Sequence, residues 1–99
     1  MEPVSLTSAQ RRYLKQLSHH LKPLLQMGKE GASPKFLREL DDQISIHELI
    51  KVRILDNCMA EKEEILAGFA GLGVTFVQKV GHVYTVFRQK EEDSALELP

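Results

Sequence analysis

One short stretch, residues 24–34, limits most strongly how this chain can fold, because it joins an apolar segment to a helix start through two closely spaced glycines. It reads L-L-Q-M-G-K-E-G-A-S-P. The apolar run 24–27 predicts a short strand buried on both faces. Ser33 followed by Pro34 is typical of a helix N-cap and the first helical residue. The stretch therefore predicts a strand, a G-x-x-G turn and a helix in direct succession.

The G-x-x-G turn has a chemical interpretation and a purely conformational one. Glycine lets the backbone approach a ligand closely, and the helix start behind it offers unpaired N–H groups and a partial positive charge, which together favour phosphate. The competing interpretation is a tight turn that needs glycine for its conformation alone. The turn residues by themselves do not decide between the two.

Capping signals and apolar periodicity predict the remaining helices and strands. Thr7, followed three residues later by Gln10, has the form of a capping box, and Pro23 would end the helix that begins there. Residues 50–54 alternate between apolar and basic side chains, which is typical of a strand with one buried face. Gly81 and His82 fit a two-residue hairpin turn. The predicted elements are helix 8–22, strand 24–27, helix 34–43, strand 47–54, helix 59–70, and strands 74–80 and 83–88.

This α-β-α-β-α-β-β order predicts an α/β fold in a single domain. Two strand–helix–strand units favour parallel pairing with right-handed crossovers, and the final hairpin adds an antiparallel pair. We therefore expect a four-stranded mixed sheet with three helices. The 99 residues suffice for one modest core. The domain is expected to span residues 1–90, and residues 91–99, which carry four acidic side chains, are expected to form a flexible tail.

The charge is distributed unevenly although the net value is only −1. Residues 1–54 hold nine Lys/Arg against six Asp/Glu, a net of +3, and residues 55–99 hold four against eight, a net of −4. A basic first half favours a polyanionic partner, while a solvated helix face is the simpler alternative. On the first helix an inward stripe is expected beside a basic one. The inward stripe comprises Gln10, Leu14, Leu17 and Leu21, and the basic one Arg11, Lys15 and His19, flanked by Arg12 and Lys22.

Several classes of function find no support in the residues. There is no P-loop signature, no nucleophile elbow and no pair of carboxylates on an evident pocket, so no enzymatic activity, cofactor or small-molecule substrate is expected. The histidines show no metal-ligand spacing. The single cysteine, Cys58, excludes an intramolecular disulfide and fits the cytoplasm. Neither a membrane-spanning run nor a signal peptide is evident, and a monomer is expected.

Five motifs together give the chain a family resemblance over about residues 5–90. It resembles a CRM domain of the single-domain, YhbY-like bacterial type. The motifs are L-K-P at 21–23, G-K-E-G at 28–31, H-E-L-I-K-V at 47–52, V-Q-K-V-G-H at 77–82 and V-F-R at 86–88. The resemblance implies a fold similar to the C-terminal domain of translation initiation factor three. It also implies a non-enzymatic protein that binds structured ribosomal RNA and acts in assembly of the large ribosomal subunit.

The resemblance implies that the G-x-x-G turn and the basic surface beside it contact RNA. Glu30 departs from this pattern, because an acidic side chain opposes phosphate, and Lys29 and the backbone would then carry the contact. The alternative is a protein–protein interaction module that binds through the exposed hairpin edge. The residues expected at RNA are Gly28, Lys29, Glu30, Gly31, Lys22, Arg11, Arg12, Lys15, Lys35 and Lys51.

Overall fold

The predicted helices and strands form in the predicted order in a computed structural model, which describes residues 3–99. Residues 1 and 2, which the expected domain 1–90 includes, lie outside the described residues. The predicted fold class, three helices with a four-stranded mixed sheet, is confirmed. The elements are α1 (Ser8–Ser18), β1 (Leu25–Met27), α2 (Pro34–His47), β2 (Leu49–Ile54), α3 (Lys62–Gly71), β3 (Thr75–Val80) and β4 (Val83–Phe87).

The strands are arranged in the order β1-β2-β4-β3. β1 and β2 are parallel, with Leu25 opposite Val52, as the first strand–helix–strand unit predicted. β2 and β3 also run parallel, as the second unit predicted, but they do not pair with each other, because β4 lies between them and is antiparallel to both. Burial explains this arrangement. Four of the five β4 residues are buried, whereas β3 ends in the exposed Lys79 and Val80, which suit an edge strand.

Two apolar clusters cover the opposite faces of the sheet. α2 and α3 pack on one face, where side chains such as Leu40, Val52 and Phe69 are buried in the larger cluster. α1 packs on the other face, over a smaller cluster of Leu14, Leu49, Val77 and Phe87. In β2, Leu49 belongs to the smaller cluster and Ile50 and Val52 to the larger one, because strand side chains point alternately to opposite faces.

α1 differs from its prediction in length and in the face that it buries. The capping box forms, with Gln10 N donating to Thr7 Oγ1 at 3.1 Å and Thr7 N to Gln10 Oε1 at 3.0 Å. The helix ends at Ser18, however, well before Pro23. Its buried residues are Leu14 and Ser18, whereas Leu17 is exposed. The expected inward stripe is therefore confirmed at Leu14 and wrong at Leu17 and Leu21, because the helix is rotated toward the side that carries Ser18 and ends at that residue.

The boundaries of α2, β2 and α3 differ from the predicted ones, and so does the burial of β1. α2 continues to His47, and Glu48 follows it with a positive φ of 66°, so β2 cannot begin before Leu49. α3 begins at Lys62, three residues later than predicted. The expected burial of the first strand on both faces is also wrong, because β1 lies at the sheet edge and Gln26 is exposed.

Candidate functional site

The G-x-x-G turn is a tight turn between β1 and α2. Gly31 N donates to Gly28 O at 3.0 Å and closes the turn, while Lys29 and Glu30 at its tip are exposed. Gly31 has a φ of +60°, and a Cβ there would lie 3.0 Å from the Cβ of Ala60. Glycine is therefore required at position 31 by backbone conformation and by packing.

The start of α2 offers fewer free donors than a generic helix N-terminus. Pro34 has no N–H, and Phe36 N donates to Ser33 Oγ at 3.1 Å, so the predicted N-cap is formed. Leu37 N donates to Ser33 O at 2.9 Å. In this turn the N–H of Lys35 is the donor that Ser33 does not use, which limits what the helix end itself contributes to anion binding.

The surface around the G-x-x-G turn carries both signs of charge. A shallow depression of about 250 Å³ lies between the turn and the first half of α2. Its lining includes Lys29 and Lys35 but also Glu30 and Glu39. Two lysines therefore face two glutamates, and the field at this depression is weaker than the lysines alone would produce.

Arg11, predicted on the basic stripe of the first helix, makes a structural contact. Its guanidinium donates to the carbonyl oxygen of Phe76 at 3.1 Å and also to that of Val77. These two carbonyls lie where the register of β3 against β4 shifts between Phe76 and Gln78. Because the irregularity frees strand carbonyls from the ladder, a guanidinium fits there and ties α1 to β3.

Two of the predicted basic residues meet in a second and larger concavity, the α1–sheet cleft. This cleft has a volume of about 350 Å³, and Lys15 and Lys51 both line it. Two basic residues that are not among the ten expected at RNA line it as well: His19, expected on the basic stripe of the first helix, and Arg53. Arg53 could have been included, since it alternates with Lys51 on the same strand face.

The ten predicted residues thus fall into separate surfaces. The four turn residues and Lys35 surround the first depression, and Lys15 and Lys51 share the α1–sheet cleft. Arg11, Arg12 and Lys15 line a further depression beside the start of α1, which therefore shares Lys15 with the cleft. Lys22 lies apart, in an apolar depression with Leu21 and Leu24.

Stacking of RNA bases on Tyr84 has no support. Its side chain is 3% exposed and meets the ring of Phe76 edge-to-face, with centroids 5.7 Å apart. Burial raises the pKa of the Tyr84 hydroxyl above its ordinary value. Tyr84 is a core residue.

Glu48 is a buried charged group that the sequence did not single out. Its carboxylate accepts hydrogen bonds from Ser94 Oγ at 2.6 Å, Lys90 N at 2.8 Å and Ala95 N at 2.9 Å. Burial pushes the pKa of Glu48 upward, but these hydrogen bonds, with that of Ser94 the strongest, outweigh it and hold the pKa below its ordinary value. Glu48 thereby binds the segment after β4 to the end of α2.

The C-terminal residues, expected to form a flexible tail, lie against the domain at several points. Beyond the contacts to Glu48, Leu96 and Leu98 pack against the α1-side cluster. Gln10 Nε2 donates to Pro99 O at 3.2 Å. The three adjacent acidic residues 91–93 are exposed.

No group of three or more His, Cys, Asp or Glu side chains in residues 3–99 is arranged to hold a metal ion. None of the helices described for the chain is both long and apolar enough to cross a membrane.

Known proteins resemble this chain over almost its whole length. A model of the CRS1/YhbY (CRM) domain matches residues 6–88. A Bacillus subtilis protein named probable RNA-binding protein YqeI is 32% identical over 95 residues, which cover 95% of this chain and 99% of that protein. A Haemophilus influenzae protein named RNA-binding protein is 31% identical over 96 residues, covering 96% of each. The solution structure of hypothetical protein SAV1595 from Staphylococcus aureus superposes with a TM-score of 0.77 at 33% identity, covering 96% of this chain and all of that one.

Proposed function

This chain belongs to the CRS1/YhbY (CRM) domain family, and from that membership we propose that it is a non-enzymatic protein that binds structured RNA. The observation that carries the proposal is the match over residues 6–88, together with full-length relatives whose names state RNA binding. The resemblance inferred from the five sequence motifs is thereby confirmed, and the chain spans nearly the entire length of the two bacterial relatives described above.

We propose that the G-x-x-G turn positions RNA through its backbone and through Lys29 and Lys35. Both lysines are exposed, and neither forms an ion pair within the described residues 3–99. Glu30 and Glu39 weaken the attraction, so the turn contributes shape and register more than strength. The lack of an exposed stacking platform at the turn favours recognition of RNA by its backbone and shape.

The proposed partner is ribosomal RNA in a precursor of the large subunit, and the proposed location is the cytoplasm, with the chain acting as a monomer. These follow the family resemblance set out from the sequence motifs. The opposing hypothesis is a protein–protein interaction module that has no RNA contact.

Sedimentation of the protein in an extract of its own cells tests the ribosomal part of the proposal. We expect co-migration with large-subunit particles, and loss of that co-migration in high salt or after ribonuclease treatment. Migration as free protein would contradict the proposal. Migration with a partner that resists both treatments would favour the protein-interaction module.

A further inference from the structure

α1 is too short to cover its face of the sheet. Its 11 residues extend only about 16 Å, and they pack over the row of the sheet that contains Leu49 and Phe87. Lys51 and Arg53 follow Leu49 on the same face, since alternate residues of a strand share a face. Two further rows of side chains therefore lie beyond the helix.

Strand register defines these two rows, in which Thr85 is buried while Arg53 and Val80 are exposed. In the first, Thr85 of β4 lies between Lys51 and Gln78, and in the second Val83 lies between Arg53 and Val80. They form the floor of the α1–sheet cleft. Its wall is the end of α1, with the segment that follows, and comprises Lys15, Ser18, His19 and Pro23.

The chemistry of the cleft is that of an anion site. Lys15, Lys51 and Arg53 line it, and none of its ten lining residues is acidic. Within residues 3–99, the ion pair between Arg88 and Asp41 is the single one that forms, so the cleft cations have no carboxylate partner there. Cations brought together without acids repel one another, and a bound anion relieves that repulsion.

We propose that the α1–sheet cleft binds phosphates of the RNA backbone and supplies more of the salt-dependent affinity than the G-x-x-G turn does. This inference rests on the proposed function. Three cations without an acid line the cleft, whereas two lysines are opposed by two glutamates at the turn. No Phe, Tyr or Trp side chain lines the cleft, so its contacts to RNA come mainly from cations that bind the phosphate backbone.

The two surfaces are close enough for one RNA to contact both. Gln26 of β1 lines the depression at the turn, and its register partner in β2 is Arg53, which lines the cleft. Adjacent strands lie about 4.8 Å apart, so only the edge of the sheet separates the two surfaces. The turn then fixes the register of the RNA, and the cleft holds its backbone.

Three double variants, each of which removes two positive charges, test this inference. Their affinity for a labelled RNA hairpin is measured by fluorescence anisotropy between about 50 and 200 mM salt. The cleft variant is Lys51→Gln/Arg53→Gln and the turn variant is Lys29→Gln/Lys35→Gln. The control is Lys62→Gln/Lys79→Gln, which removes two cations on the opposite face of the sheet, where Lys62 lies over Phe76 and Lys79 is the register partner of Tyr84.

We expect the slope of log affinity against log salt to become shallower by about 2 in the cleft variant. The turn variant should lose less slope, and the control should keep the wild-type slope. If circular dichroism shows that the cleft variant does not fold, Lys15→Gln is tested in its place, because Lys15 lies on an exposed helix position. The slope of log affinity against log salt for Lys15→Gln should become shallower by about 1.

The outcomes separate this inference from the proposed function. If the wild-type protein binds the hairpin and the cleft variant shows the same slope of log affinity against log salt, the proposed role of the cleft is overturned while RNA binding stands. No binding by the wild-type protein, or binding that salt does not weaken, would overturn both. Inorganic phosphate and a mononucleotide, added at constant ionic strength, should not displace the hairpin. Displacement by either would make the cleft a site for free phosphates and would also overturn the inference.

Discussion

Replacing Glu48 with glutamine changes one carboxylate oxygen to an amide nitrogen and leaves the size of the side chain almost unchanged. In the wild-type protein, Oε2 accepts from Lys90 N and Ser94 Oγ, and Oε1 accepts from Ala95 N. In the wild-type geometry, all three groups that surround the side chain at position 48 therefore donate hydrogen bonds to it. An amide NH₂ in either position faces an N–H group, and at least one hydrogen bond is lost.

The loss should be large because Glu48 is only 1% exposed and water cannot replace the missing bond. A hydrogen bond to a charged group contributes about 1.5–3 kcal/mol to the free energy of unfolding. For a domain of this size each kcal/mol corresponds to about 4–8 °C in Tm. We therefore expect the Tm of Glu48→Gln to fall by roughly 6–24 °C at neutral pH.

The destabilisation should depend on pH with a definite sign. Hydrogen bonds hold the pKa of Glu48 below its ordinary value, so the folded state binds its proton more weakly than the unfolded state does. The stabilisation is complete above the ordinary glutamate pKa of about 4.3 and is lost as pH falls from there through the folded pKa. Wild type and variant should therefore converge in acid.

Thermal unfolding followed by circular dichroism, at pH 7 and near pH 3, measures both effects. The matched control is Glu39→Gln, which makes the same chemical change at an exposed position on α2 and should leave Tm nearly unchanged. Equal Tm values for wild type and Glu48→Gln at pH 7 would show that the hydrogen bonds of Glu48 do not stabilise the fold. A difference of the same size at both pH values would show that the pKa of Glu48 is not lowered in the folded state.

Two further substitutions test other contacts by urea unfolding. Gly31→Ala should destabilise the fold by about 1–2 kcal/mol, because position 31 has a φ of +60° and the new Cβ would lie 3.0 Å from that of Ala60; an unchanged midpoint would contradict this. Arg88→Gln should cost about 1–3 kcal/mol, because Arg88 donates to Asp41 Oδ1 at 2.7 Å and to Leu72 O at 2.9 Å, although half-exposed Asp41 retains some hydration. A loss as small as that of an exposed Arg→Gln change would argue against a structural role for this ion pair.

Local signals in the sequence were sufficient to predict the elements. Thr7 with Gln10, and Ser33 with Pro34, satisfy backbone donors within one turn of the chain, so their effect depends little on the rest of the fold. The alternation over residues 50–54 likewise follows from strand geometry alone.

Features that depend on distant parts of the chain were not predictable from local pattern. Which strand lies beside β2 depends on the burial of β4 as a whole, and so the insertion of β4 between β2 and β3 was missed. The hydrogen-bond partners of Arg11 lie 65 and 66 residues away in the chain. Those of Glu48 lie 42 to 47 residues away. A charged residue gives no sign in sequence that its partners are backbone groups.

The candidate site likewise has one part that the sequence shows directly and one part that only the fold brings together. The G-x-x-G turn is contiguous in sequence and could be identified directly. The α1–sheet cleft joins α1 to three strands, so among its members only Lys15 and Lys51 were expected at RNA from the sequence. Their meeting in one concavity follows from the short α1, which the sequence predicted to be longer.

Titration of ¹⁵N-labelled protein with an RNA hairpin, followed by amide chemical shifts, measures RNA contact at the turn and at the cleft in one experiment. We expect shifts at Lys29 and Gly31 in the turn and at Lys51 and Arg53 in the cleft, with α3 unaffected, and we expect added salt to reverse them. Shifts confined to α3, or none at saturating RNA, would show that neither surface binds RNA.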